Sequence, residues 1–327
     1  MSKQVCIVSA TITVVASAAF LASWSAGFII AAFATADYGA TTMLAWRFIP
    51  LAVVLVAVVL ATGAAKSMSR SDLRKQAVVG LFAQFGYVFF VYAAVANGIT
   101  TGTTALIDAV QPLVVATLVG PLLGLRVRGA QWAGLVAGAA GVLLVVQSQL
   151  GEADAAPLAY LLPALAMAFL IVGTFLDRRA RSEMPVLVTL TVHVVVAAVG
   201  FTLIAALTGT LVPPASLDFW TQVALAAAVP TFGAYGLYWW LLRRVGITAL
   251  NALLFLVAPV TALAGAVLLG EPLSVLTFIG FALCGSGVAA VLVSESRAAR
   301  SSRTEPVQDD ADTASTTPAV PAAQPRS

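Results

Sequence analysis

Stretches of about twenty consecutive apolar residues recur along almost the whole of this 327-residue chain, and no other feature restricts the fold so strongly. A helix rises 1.5 Å per residue, so twenty residues cross a hydrocarbon layer roughly 30 Å thick. Within hydrocarbon every backbone donor and acceptor must be satisfied by protein, which leaves only helices or closed barrels. The runs are continuous instead of alternating, which argues against a barrel. With 61% hydrophobic and 9% charged residues, the chain also lacks the charge a soluble protein needs to cover its core. The expected fold is an all-α integral membrane protein.

Ten spans are read at 8–33, 39–62, 76–96, 99–123, 130–148, 157–176, 184–208, 219–241, 246–269 and 273–293, joined by short connections. Residues 295–327 change in kind. They are rich in Ser, Thr, Ala, Pro and acids without periodicity, and read as a disordered cytoplasmic tail. Of the 17 Lys and Arg residues, one, Arg47, falls inside a span. All the others, from Lys3 through Lys66, Arg70, Arg126, Arg178 and Arg243 to the tail, lie on one side of a ten-span layout. The opposite loops carry acids such as Asp37, Glu152, Asp154, Asp218 and Glu271. Both termini are therefore expected in the cytoplasm and the chain in the cell membrane. The net charge of +3 is a topology signal and suggests no nucleic-acid partner. Ala16-Ser17-Ala18 resembles a cleavage site, but cutting there would leave nine spans and undo the charge alternation. Cys6 and Cys284 lie at different depths, so neither a disulfide nor a metal or other cofactor is expected.

An internal repeat divides the spans. GITTGTTALIDAVQPLVVATLVGPLLGL begins at Gly98 and GITALNALLFLVAPVTALAGAVLLGE at Gly246. Each opens Gly-Ile-Thr, reaches a proline (Pro112, Pro259), arrives at Leu-Leu-Gly and continues into a glycine-spotted helix. Five spans separate the copies, so the second crosses the membrane in the opposite sense. Inverted halves of this kind are typical of secondary transporters.

Two five-span repeats of this pattern resemble the EamA-type members of the drug/metabolite transporter superfamily. Trp24-Ser25-Ala26-Gly27-Phe28 resembles that family's span-1 segment, and Arg47-Phe48 resembles its Arg-Phe pair. Leu125 stands where the first copy usually has Glu, so the substrate does not carry over. The resemblance covers residues 8–148 as one repeat and 157–293 as the second. It implies a ten-helix carrier, most often an exporter of amino acids, related metabolites or drugs.

The polar residues inside the spans mark where a pathway would run. Arg47 and Asp108 lie at a similar depth, roughly 12–14 Å from the outer ends of their helices. Two readings stay open: an ion pair that ties spans 2 and 4, or an Asp108 that meets a cationic group or a coupling proton. Thr101, Thr104, Asp108 and Gln111 share one face of span 4. Pro112 and Pro259 each remove a backbone donor, and paired helix breaks point to a transporter's central site. Trp24, Gln84, Tyr87 and Asn251 complete the candidate substrate pathway. His193 is either a proton relay or a neutral hydrogen-bonded residue. Gly134, Gly138 and Gly141, like Gly280, Cys284 and Gly287, make small-residue faces for packing, within one protomer or in a homodimer.

No catalytic cluster or nucleotide-binding loop is present in the sequence. The expected function is a small-molecule exporter working by alternating access. An importer or exchanger of the same build is the alternative, and a membrane enzyme a distant one. Its partners would be the substrate and the lipid bilayer.

Overall fold

Four helices of this chain start where a hydroxyl accepts an otherwise unpaired N–H of the first turn. Ser69 accepts from Asp72 N at 3.0 Å, Thr100 from Thr103 N at 3.3 Å, Ser216 from Phe219 N at 3.2 Å and Ser274 from Thr277 N at 3.1 Å. The computed structural model describes residues 3–66, 68–111, 113–114, 118, 129–149, 155–180 and 184–304, and no strand occurs among them.

In chain order the elements are α1 (Lys3–Asp37), α2 (Ala40–Thr62) and α3 (Arg70–Gly80), followed by a π-helical segment (Leu81–Gly86) and α4 (Tyr87–Ala96). Then come α5 (Thr101–Ala109), α6 (Gly129–Gln149), a short 3-10 turn (Pro157–Tyr160), α7 (Leu161–Ala180) and α8 (Val186–Leu207). The rest is α9 (Leu217–Ala228), a second π-helical segment (Val229–Ala234), α10 (Tyr235–Leu269) and α11 (Val275–Thr304). Among the described residues, five helical segments are long and apolar enough to cross a membrane: Thr11–Asp37, Ala40–Thr62, Arg70–Ala96, Pro157–Asp177 and Val186–Leu207. Trp132–Ser148, Leu253–Leu269 and Val275–Ala290 are shorter apolar helices. Outward-facing side chains such as Leu60 (73% exposed) and Val267 (74% exposed) leave an apolar exterior suited to lipid.

The eighth and ninth expected spans are joined without a helical interruption, yet the chain doubles back on itself within them. Pro230 packs beside Gly27, and Arg244 Nε donates to Thr13 Oγ1 at 2.8 Å. Ser25 Oγ then donates to the Val257 carbonyl at 3.4 Å. A straight helix would separate residues 230 and 257 by about 40 Å, so the chain must descend α1 and climb it again. Pro259 lies inside α10, which continues past it to Leu269, so no helix break occurs there. In the first copy α5 stops at Ala109, and Val110 N bonds to the Ile107 carbonyl at 3.2 Å in a turn. Pro112 itself lies outside the described residues. At the other end α11 carries the helix ten residues into the expected tail, to Thr304, and 305–327 lie outside the described residues.

Helix pairing follows the repeat. The second helices of the two halves, α2 and α8, pack together, as do α5 with α10 and α6 with α11. Among the described residues the last pair forms the largest interface. Its glycines set the approach: a Cβ on Gly141 would come within 2.6 Å of the Gly280 carbonyl, and one on Gly287 within 2.5 Å of that of Gly134. Cys284 Sγ donates to the Gly138 carbonyl at 3.3 Å between them. The small-residue faces thus pack against each other within the protomer. Of the two main cores, one gathers Met43, Phe48, Phe201 and Phe219, with Phe48 and Phe201 rings 5.4 Å apart. The other gathers Leu106, Leu113, Val257 and Phe281.

Candidate functional site

A cavity of about 600 Å³ lies between the halves, within the range that small-molecule sites occupy. Its wall runs from Trp24, Tyr87 and Asp108 to Gln76, Asp177, Met184 and Val186. Those four stand at helix ends on the face that carries Lys66, Arg70 and Arg74. The opposite face is closed by cross-links between helix ends. Tyr38 Oη donates to Asp218 at 2.9 Å, Thr42 Oγ1 to the Thr210 carbonyl at 2.8 Å and Trp46 Nε1 to the Leu211 carbonyl at 2.8 Å. Glu271 adds a two-pronged contact: Thr101 N donates to Oε1 at 2.7 Å and Thr101 Oγ1 to Oε2 at 2.8 Å. This contact depends on Gly270, whose φ of 69° ends α10 in the left-handed region and turns the chain back toward α5.

The π-helical segments face this cavity. One starts at Leu81 and the other at Val229, the same separation as between the Gly-Ile-Thr openings at Gly98 and Gly246. They are repeat-equivalent departures from α-helical geometry, of a kind that recurs at functional sites. Gln84 lies in the first and Tyr87 directly after it, while Thr231 and Phe232 lie in the second. All four line the cavity.

Six of the side chains singled out from sequence meet here: Trp24, Gln84, Tyr87, Asp108, Gln111 and His193. Tyr87 Oη donates to Asp108 Oδ2 at 3.0 Å, while Asp108 Oδ1 is buried without a hydrogen-bond partner. Gln111 Nε2 reaches Thr174 Oγ1 at 3.5 Å. Gln76 Nε2 donates to Asp177 Oδ1 at 2.8 Å, so its carbonyl oxygen faces His193 Nε2 at 3.0 Å. His193 therefore carries its proton on Nε2 in this arrangement. Gln76 and Asp177 were not singled out from sequence, since they stand at span ends where polar residues are ordinary.

Other expected members lie elsewhere. Thr104 Oγ1 turns back to the Thr100 carbonyl at 3.0 Å and is 1% exposed. Thr101 is held by Glu271, so the expected polar stripe on α5 reaches the cavity only through Asp108 and Gln111. The side chain of Asn251 lies outside the described residues. Arg47 and Asp108 form no ion pair. Arg47 Nη1 donates to Tyr92 Oη at 3.2 Å, and the guanidinium lies 5.1 Å from the Phe48 ring centroid and 5.8 Å from that of Tyr92. It faces an adjoining recess of about 70 Å³ that shares Trp24, Gln84 and Tyr87 with the cavity, and its Nε is buried without a hydrogen-bond partner. Equal depth on two helices does not fix what each side chain meets: Arg47 bonds to Tyr92 and Asp108 to Tyr87.

No group of three or more His, Cys, Asp or Glu arranged to hold a metal occurs among the described residues. Comparison with known proteins gives a consistent picture. The sequence pattern of a family described as "EamA-like transporter family" matches residues 9–147 and again residues 157–293. A solved structure described only as "Crystal structure of protein" superposes with a TM-score of 0.61 over 88% of this chain and 99% of that one. At 22% identity that similarity shows the fold alone. No curated protein matches the chain.

Proposed function

We propose that this chain, which belongs to the EamA-like transporter family, is a secondary carrier that exports small molecules across the cell membrane by alternating access. The observation that carries the reading is the central cavity, which extends to one face while cross-links close the other. In the proposed topology ten helices cross the bilayer, both termini are cytoplasmic, and the basic face is the inner one. The cavity then loads from the cytoplasm, with Trp24, Gln84, Tyr87, Asp108 and Gln111 around the passenger. Breaking the contacts of the acidic face while closing Gln76, Asp177 and Met184 together would release it outside.

The repeat supports the exchange. α2 with α8, α5 with α10 and α6 with α11 each pair one half with its counterpart, so an equivalent packing with the roles of the halves reversed is available to the same side chains. Purified chain in liposomes tests the reading. Saturable uptake with counterflow is the expected result, whereas conductance without saturation would mean a channel. Loading the same vesicles from either side separates an exporter from an importer or exchanger.

A further inference from the structure

We infer that the cavity takes an organic cation, a protonated amine or quaternary ammonium on an apolar body without a carboxylate of its own. The inference rests on the carrier reading of the same cavity and adds the class of passenger. Among the described residues that line it, the carboxylates are Asp108 and Asp177, and there is no Lys or Arg. Asp108, next to the last residue of α5, takes a single side-chain hydrogen bond, from Tyr87, and its second oxygen is buried and unpartnered. A carboxylate offers about four acceptor positions, and one left unmet at membrane depth favours a donor or a positive charge beside it.

The walls suit the rest of such a molecule. Trp24, Tyr87, Phe232 and Tyr238 contribute rings, and Trp24 and Tyr238 stand 6.3 Å apart between centroids. Ring faces attract a desolvated cation and repel an anion. The positive charge that a substrate carboxylate would need belongs to Arg47. That guanidinium faces the adjoining recess, where Nη1 donates to Tyr92 and Nε has no hydrogen-bond partner. A zwitterion held in the cavity itself would set its carboxylate beside two others, and reaching Arg47 would require it to pass the Gln84 and Tyr87 side chains. Asp177 at the inner mouth adds attraction for cations approaching from that face.

Calorimetric titration of the detergent-purified full chain with phenethylamine, phenylalanine and phenylpropionate compares one hydrocarbon body in three charge states. The amine should bind at least about tenfold more tightly than the amino acid, and the acid should show no saturable binding. Asp108→Asn should weaken the amine by at least about tenfold, and Asp108→Glu should retain most of its affinity. Equal or tighter binding of phenylalanine or phenylpropionate overturns the inference, as does absence of amine binding or an unchanged affinity in folded Asp108→Asn protein. The three-ligand comparison uses the unaltered chain, so it decides the matter even where a variant fails to fold. Amine binding without saturable flux in liposomes would refute the carrier and leave the charge class standing. Saturable flux of phenylalanine with weak amine binding would do the reverse.

Discussion

Replacing Glu271 with alanine should unlatch the acidic face of the protein. The carboxylate takes two hydrogen bonds from Thr101, at 2.7 and 2.8 Å, and ties the start of α5 to the turn after α10. A hydrogen bond to a charged group contributes about 1.5–3 kcal/mol. Glu271 is partly exposed, so the lower end of that range applies, giving about 3 kcal/mol for the pair. At 1.4 kcal/mol per decade this is about a hundredfold in the ratio of closed to open acidic face. Glu271→Gln keeps the shape and one acceptor oxygen, and should lose about half as much, near tenfold. Thr104, buried one turn behind the latch, gives the readout. A cysteine placed there, in a chain freed of Cys6 and Cys284, should react with an impermeant maleimide about a hundredfold faster in the alanine variant. An unchanged rate in folded Glu271→Ala protein would refute the reasoning. The latch is specific to one face in sequence as well, because the repeat-equivalent position holds Leu125.

Other expectations follow from the same geometry. A double-mutant cycle between Arg47→Met and Asp108→Asn should give a coupling below about 0.5 kcal/mol in thermal unfolding, since the two side chains do not touch. A coupling of several kcal/mol would restore the ion pair. Gly141→Ala should lower stability by about 1–3 kcal/mol, because its methyl group meets the Gly280 carbonyl. The shift would be read as a fall in melting temperature in detergent. Gln76→Leu leaves Asp177 and His193 without their bridging amide and should destabilise the described arrangement by about 1–3 kcal/mol. His193 ring resonances in nitrogen NMR should report the lost partner.

Periodic features of this fold were readable in advance. Runs of apolar residues and the doubled Gly-Ile-Thr openings are one-dimensional, and they carry over into helices and their pairing. Asp108, Gln111, Gln84 and Tyr87 share a wall because each is polar or amphipathic at mid-span, where lipid contact is disfavoured. Direction around a helix was harder to read. Arg47 and Asp108 share a depth and face different spaces, and Thr104, on the same face as Asp108, spends its hydroxyl on its own backbone. The π-helical segments leave no compositional mark, although their positions follow the repeat. Glu271 read as an ordinary acid of an outer loop, and its role emerges only when Gly270 turns it onto Thr101. Pro259 is likewise accommodated inside a continuous helix.

The contact between Cys284 and the Gly138 carbonyl has a property that no other described here shares. Exchanging the two repeats sends the Gly141–Gly280 approach onto Gly287–Gly134, and it sends Gly138–Cys284 onto itself. A cycle that swaps the environments of the two halves leaves such a point where it began. In the proposed cycle the α6–α11 pair would serve as an axle, dense and stationary, and its stiffness would be no obstacle to turnover. Substitutions that freeze the cycle without unfolding the protein should accordingly fall on α5, α10 and the two π-helical segments, while those on the axle report on stability alone.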